Sequence, residues 1–230
     1  MPDAKRIENQ LYELLSSPRY GSLLDHRNRF EHPARRVTPQ SLAQRTAQSL
    51  VANRCLLDPV YVEEIRGEAQ FYRGYDGVSS EQGTAMTLGS SWSSRKVVER
   101  IWGATPESLG AARKERFMDF MRSANFIHPS WNQMRDIACM RVPAGAWVVV
   151  VRGRGNWRAM QTNRPGAAKP LYPKPYHPFN NPQIESIDDV LYSLEMMPTP
   201  GEEQYNIPLF NDLWVCKVAQ QNPSWPLACA

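Results

Sequence analysis

Residues 136–151 read DIACMRVPAGAWVVVV, and this stretch decides the fold class that we expect. Two apolar runs flank a Pro-Ala-Gly segment, which predicts two β-strands joined by a turn. The four consecutive valines at 148–151 are typical of a strand that is buried in a sheet. Residues 69–75 (AQFYRGY) predict an earlier strand, and about 203–208 and 213–219 predict a last strand pair. The second part of the chain therefore contains a β-sheet.

The N-terminal part has a helical pattern instead. Apolar residues recur at helical spacing in 6–16 (RIENQLYELLS), which predicts a first helix. Thr38 and Pro39 suit the cap and the first turn of a second helix. Residues 60–68 (VYVEEIRGE) follow Asp-Pro and predict a short third helix, whereas residues 17–37 carry proline, glycine and arginine and predict irregular structure.

The remaining segments alternate between helices and loops. The serine-rich residues 90–94 precede a predicted helix (RKVVERIWG), another helix covers about 106–124, and a short one begins at Ser186. The Gly/Ser/Thr-rich residues 76–89 and the six prolines within 163–182 predict loops.

Helices first and separated strands afterwards indicate an α+β fold. We expect a helical N-terminal cap over residues 1–68 and a second part over residues 69–230 with a mixed or antiparallel sheet. At 230 residues the two parts are expected to pack as one compact domain.

Composition limits the class of protein. Hydrophobic residues make up 42% of the chain and charged residues 22%, which is typical of a folded globular protein. No apolar stretch approaches the roughly 18 to 20 residues of a membrane span. The start, MPDAKRIENQLYELL, predicts an amphipathic helix and not a signal peptide. We therefore expect a cytoplasmic protein with no membrane partner, although a protein delivered into a target cell by a specialised secretion system would also lack a signal peptide.

Metal and nucleic-acid sites are not indicated by the residue counts. The four cysteines show no C-x-x-C spacing and the four histidines are dispersed, so we expect no bound metal. The net charge of +4 is too weak by itself to indicate nucleic acid. Arginine outnumbers lysine 21 to 6, which suits phosphate or carboxylate binding, although codon usage also explains such a ratio.

Three motifs occur in order along the chain. Phe71-Tyr72-Arg73-Gly74 resembles the aromatic-Arg-Gly strand of ADP-ribosyltransferases of the Arg-Ser-Glu class, which include the pertussis-toxin-like enzymes. Ser90-Ser91-Trp92-Ser93-Ser94, before a helix, is similar to their Ser-Thr-Ser element. Residues 200–208 (PGEEQYNIP) resemble their acidic strand, E-x-E or Q-x-E, which ends in a hydrophobic residue and proline. The resemblance covers residues 69 to 218 and implies a split-sheet NAD-binding fold, with NAD as the substrate.

The chemistry of NAD cleavage explains why these residue types are needed. Breaking the nicotinamide–ribose bond passes through an oxocarbenium-like transition state, as in glycoside hydrolysis. The site must hold the diphosphate, fix the ribose and stabilise the developing positive charge. The resemblance implies that Arg73 contacts phosphate or ribose, that Gly74 lets the nicotinamide approach the backbone, and that the serines brace the site. The residues expected to bind NAD are Tyr72, Arg73, Gly74, Ser90, Ser91 and Ser93.

The acidic motif departs from the family pattern. The family's catalytic glutamate lies four residues before the proline, and counting back from Pro208 gives Gln204. A one-residue bulge would make Glu203 catalytic. Alternatively Glu202 and Gln204 form the pair, since alternate residues of a strand share a face. This pair resembles the tuberculosis necrotizing toxin group of NAD glycohydrolases, and an inactive site is a third interpretation, so Glu202, Glu203 and Gln204 all stay candidates.

The resemblance predicts an NAD-dependent mono-ADP-ribosyltransferase that acts as a toxin or effector on a macromolecular acceptor. We expect a protein acceptor in preference to nucleic acid, although the basic residues within 106–124 and Arg152, Arg154 and Arg158 offer a nucleic-acid alternative. An immunity or activating partner is compatible with such a toxin. The alternatives are an NAD glycohydrolase of the same fold and an inactive relative that binds a protein partner.

Each motif also has a plain structural explanation. Arg73 is compatible with a surface arginine beside a turn, and a serine within 90–94 with a helix cap. Glu202 and Glu203 after Pro-Gly are compatible with a solvated turn, and the aromatic residues with core packing.

Overall fold

A computed structural model describes residues 3–29, 31–52, 56–75, 91–124, 136–155, 203–218 and 225–227. The predicted loops at 76–89 and 163–182 and the predicted helix from Ser186 lie outside these residues, as do the candidate site residues Ser90 and Glu202. The two predicted parts, 1–68 and 69–230, are therefore described only within these ranges.

Five α-helices lie within the described residues: α1 (Ala4–Leu15), α2 (Gly21–Asn28), α3 (Pro39–Ala47), α4 (Arg95–Ala104) and α5 (Arg113–Ala124). Side chains cap three of them, as the sequence suggests. Asp3 accepts hydrogen bonds from two backbone amides of α1, and Thr38 and Ser41 form a capping box at α3. Ser94 caps α4 by accepting a hydrogen bond from the amide of Val97. No described helix is long and apolar enough to cross a membrane.

In the part of the chain that the structure describes, seven strands form one antiparallel sheet: β1 (Leu56–Arg66), β2 (Gln70–Tyr75), β3 (Ser91–Ser94), β4 (Asp136–Arg141), β5 (Trp147–Gly155), β6 (Glu203–Asn206) and β7 (Val215–Val218). Their order in the sheet is β1-β5-β6-β3-β2-β4-β7. The α+β fold class is therefore as the sequence predicts.

The sheet curls so that distant strands meet at one end. β1 ends at Arg66 and β2 begins at Gln70, although three strands separate them in the sheet. Two backbone hydrogen bonds join the β1–β2 connection to the β4–β5 connection: Gly67 donates to Ala146 (2.9 Å) and Glu68 donates to Val142 (2.8 Å). A Cβ atom on Gly67 would lie 2.3 Å from the carbonyl oxygen of Pro143, so this approach requires glycine.

We call the enclosed side of the sheet the concave face. It carries a core contributed by strands from both halves of the sheet and by the segment after β6. The buried members of this core are Phe71, Tyr75, Trp92, Ala138, Met140, Val142, Val148, Val150, Ile207 and Phe210.

Helices cover the other side of the sheet, the convex face, in two groups. α1 and α3 pack on β1 and β5, where Leu11 shares a buried cluster with Val149. α4 and α5 pack on β2, β4 and β7, where Val98 and Phe117 share a cluster with Cys139. The N-terminal helices therefore share a hydrophobic core with the sheet.

The predicted helix at residues 60–68 is wrong, because Val60 to Arg66 belong to β1. The segment has the two-residue period of a strand: Val60 and Val62 pack in the convex cluster and Ile65 packs in the concave one. β1 lies at an edge of the described sheet, and its register shifts between Leu57 and Tyr61. Pro59 has no N–H group to donate to a neighbouring strand, and strands tolerate such a residue at a sheet edge or at a bulge.

Three further predictions need correction. Residues 17–37 contain α2, so they are not irregular throughout. The helix predicted at about 106–124 starts as a 3₁₀ helix (Glu107–Ala112) that kinks at Gly110, where φ is +53°, before α5 begins. The last two strands are not a pair, because β6 lies between β5 and β3 whereas β7 pairs with β4.

Candidate functional site

The three motifs lie on neighbouring strands. β3, with the serine motif, pairs with β2, which carries Arg73, and with β6, which carries the acidic motif. Tyr72 lies opposite Ser93, and Ser93 lies opposite Gln204. Segments that are far apart in the sequence therefore meet in the middle of the sheet.

Alternation along each strand divides the motif residues between the two faces. Arg73 lies between Phe71 and Tyr75, which both belong to the concave core. Glu203 and Tyr205 share this face, because Tyr205 lies opposite Trp92 and packs against Phe71 at 5.3 Å between ring centroids. Arg73 and Tyr205 stand two strands apart, which corresponds to about 10 Å between their backbones.

The side chain of Arg73 lies on the concave face and is half-buried. Its Nη1 donates a hydrogen bond to the carbonyl oxygen of Ser91 (2.6 Å). Its Nε is buried and has no hydrogen-bond partner among the described residues. Burial lowers the pKa of Arg73 to about 10, so the group is still charged at neutral pH. A cation with an unused donor, and with no carboxylate partner in the described ranges, is suited to an anionic or oxygen-rich ligand.

Glu203 is fixed from two sides. Its Oε1 accepts a hydrogen bond from Nη1 of Arg152 and its Oε2 accepts one from the hydroxyl of Tyr205, both at 2.6 Å. Burial by itself would raise the pKa of Glu203, but these two bonds and the charges of Arg152 and Arg154 outweigh it and hold the pKa below its ordinary value. Glu203 is therefore an ionised carboxylate with a defined orientation at neutral pH.

Arg152 links the acidic strand to the edge of the sheet. Its Nε donates to Oε1 of Glu63 (2.7 Å) on β1, and its guanidinium lies 4.7 Å from the ring centre of Tyr61. The hydrogen bonds to Glu63 and then to Glu203 raise the pKa of Arg152 above its ordinary value. Burial and the hydrogen bond to Glu203 raise the pKa of Tyr205, so its hydroxyl stays a donor.

The remaining motif residues face the helices. Tyr72 is fully buried in the convex cluster, and its hydroxyl donates to the carbonyl oxygen of Leu227 (3.1 Å). Ser93 and Gln204 lie opposite each other on this same face, and Ser93 is buried. Gly74 lies opposite Ile137, which also belongs to the convex cluster. The structure thus brings Arg73 and Glu203 to one face and places Tyr72, Gly74, Ser93 and Gln204 on the other.

The serine motif contributes in two ways. Ser91 supplies the carbonyl oxygen that holds Arg73, and Ser94 caps α4. The plain explanation of this motif as a helix cap is therefore confirmed for Ser94, and it is compatible with a role of Ser91 at the site.

Sequence reasoning missed the network around Glu203. Arg152 was noted only as part of a basic stripe with Arg154 and Arg158, and Glu63 was placed on a helix. α5 lies on the convex face, whereas Arg152 lies on the concave face. The sequence does contain a signal for Arg152, because arginine stands at every second position after the valine run. This alternation is typical of a strand whose first part is buried in the core and whose second part carries polar side chains on one face.

The assignment of a function rests on these three motifs and on the geometry of the concave face, because no family model, curated protein or solved structure matches this chain.

Proposed function

We propose that this chain cleaves NAD at the nicotinamide–ribose bond and transfers the ADP-ribose to a macromolecular acceptor. The observation that carries the proposal is that Arg73, a guanidinium with an unused donor, and Glu203, an oriented carboxylate, lie on the same concave face. Both come from strands whose motifs resemble those of Arg-Ser-Glu ADP-ribosyltransferases.

Arg73 supports binding of the nucleotide. Its backbone strand is central, and the carbonyl of Ser91 fixes the direction of its guanidinium. The Nε has no hydrogen-bond partner among the described residues, and a phosphate or ribose oxygen is an acceptor suited to it. A guanidinium held in place before the ligand arrives costs little reorganisation on binding.

Glu203 supports the chemical step. When the nicotinamide–ribose bond breaks, its electron pair leaves with nicotinamide and positive charge develops on the ribose. The acceptor then forms a bond to the same ribose carbon and loses a proton. An ionised carboxylate stabilises the cation and takes up that proton, and the low pKa of Glu203 keeps it ionised. Arg152 and Tyr205 use only part of the acceptor capacity of the carboxylate, which has about four lone-pair sites.

The geometry favours Glu203 over Gln204 as the catalytic residue. Gln204 lies on the convex face opposite Ser93, whereas Glu203 shares the face of Arg73. The family spacing selects Gln204, whereas the residue on the concave face is its neighbour Glu203.

Incubation with NAD labelled in its adenylate half, in the presence of cell lysate, tests the proposal. We expect label on a macromolecule with the wild type and none with Arg73→Met. Arg141→Met is the matched control, because Arg141 is an exposed arginine at the end of β4 in the same sheet. Label only in free ADP-ribose would identify an NAD glycohydrolase instead. Intact NAD after incubation with the folded wild type would contradict both activities.

A further inference from the structure

A polar pocket lies between the N-terminal helices and the segment that follows β6. One wall is a face of α3 and of the turn after it, and the other wall is formed by residues 206–210. The pocket has a volume of about 290 Å³, which is close to the lower end of the range for small-ligand sites. Arg73 and Glu203 do not line it.

The polar groups of this pocket are cationic or neutral. Arg27 from α2 and Arg45 from α3 line it, together with the hydroxyls of Thr46 and Ser49 and the amide of Asn206. None of the described residues that line it is acidic. Arg45 is exposed, and its one hydrogen bond in the described chain runs from Nε to the carbonyl oxygen of Ser41 in its own helix (3.2 Å). The other nitrogens of this guanidinium therefore remain available to a ligand.

The helical spacing of α3 places the side chains that line the pocket on one face of this helix. Leu42, Arg45 and Thr46 stand at the i, i+3 and i+4 positions that share one face of α3, and Ser49 follows in the turn after this helix. Leu42 is buried, and Leu209 and Phe210 across the pocket are buried as well. Apolar side chains thus line the pocket together with two guanidiniums and two hydroxyls.

We propose that this pocket binds a small phosphate monoester of about nucleoside-monophosphate size. The guanidinium of Arg45 has donors that no described residue uses, and arginine binds phosphate in bidentate fashion. Hydroxyl groups add further donors to phosphate oxygens. Apolar side chains that line the pocket, such as Pro208, suit the ring or sugar portion of such a ligand.

Calorimetry on the full chain tests the pocket with adenosine monophosphate, inorganic phosphate and adenosine as probes. We expect adenosine monophosphate to bind most tightly, inorganic phosphate to bind weakly, and adenosine not to bind. Arg45→Gln and Arg27→Gln should each weaken adenosine monophosphate about ten- to a hundredfold, the usual effect of losing a charged hydrogen bond. Arg35→Gln removes the same charge from an exposed arginine outside the pocket and should leave binding unchanged.

Three results would overturn the proposal. The first is no heat from either phosphate compound at millimolar concentration. The second is equal weakening by Arg35→Gln, which would indicate unspecific attraction to a basic surface. The third is loss of binding in Arg73→Met with no change in Arg45→Gln, which would place the ligand on the concave face. The proposed NAD cleavage is not required for any of these outcomes, so the two proposals can fail separately.

Discussion

Replacing Arg73 by methionine should leave the protein as stable as the wild type or make it more stable. Burial lowers the pKa of Arg73 from its ordinary value to about 10, which means that the folded state disfavours the charged form. At about 1.4 kcal/mol per pKa unit, this corresponds to roughly 3 kcal/mol of destabilisation at neutral pH. Methionine removes that cost and keeps most of the side-chain volume.

The substitution also removes a favourable contact. The hydrogen bond from Arg73 to the carbonyl oxygen of Ser91 is lost, which costs about 1 to 3 kcal/mol if the carbonyl finds no new partner. The two effects have opposite signs, so we expect Arg73→Met to lie between unchanged and about 2 kcal/mol more stable.

Arg152→Met is the matched control for this measurement. Arg152 has two carboxylate partners, Glu63 and Glu203, and contacts the ring of Tyr61. Because all three groups are partly exposed, we expect a moderate destabilisation of about 1 to 2 kcal/mol. Urea unfolding followed by tryptophan fluorescence gives both values, provided that the slope of free energy against urea stays constant.

The result that would refute this reasoning is a large loss of stability in Arg73→Met, equal to or greater than that in Arg152→Met. Arg73 would then be a structural residue with a partner, and its unused donor would not indicate a ligand site.

Three further predictions concern the packing and the acidic strand. Leu11→Ala should cost about 2 to 5 kcal/mol in urea unfolding, because Leu11 is fully buried against the sheet, whereas Tyr12→Ala on the exposed side of α1 should cost much less. Ser94→Ala should cost about 0.5 to 1 kcal/mol, since it removes the cap of α4, and Ser94→Asp should restore stability. Glu203→Gln should be less stable than the wild type at neutral pH, and the difference should shrink in thermal melts below about pH 4, because a carboxyl whose folded pKa is lowered loses its stabilisation as the pH falls through that pKa.

Local patterns in the sequence were sufficient to predict several elements. β2, β4, β5 and α4 were predicted because each has its own period, turn or cap within a few residues. β1 was predicted as a helix because its two adjacent glutamates and the Asp-Pro before it suit a helix start. The segment is a strand because it pairs with the valine-rich β5. The residues of that pairing are about ninety positions apart in the chain, as Arg152 and Glu63 are, so no local pattern shows it.

The candidate site was predictable only in its parts. The motifs identified Arg73 and the acidic segment, but the choice among Glu202, Glu203 and Gln204 depends on which face of β6 meets Arg73. That face is set by the pairing of β6 with β3 and β5, which no local pattern fixes. The bond between Arg152 and Glu203 joins residues 51 positions apart, so the support of the carboxylate was not visible in the sequence.

Release of nicotinamide from NAD by the purified wild type and by Glu203→Gln, measured side by side, tests whether Glu203 takes part in NAD cleavage. We expect steady release by the wild type and a fall of about a hundredfold or more in the variant, with the variant still folded. Equal rates in the two proteins, or no release by the folded wild type, would contradict this expectation.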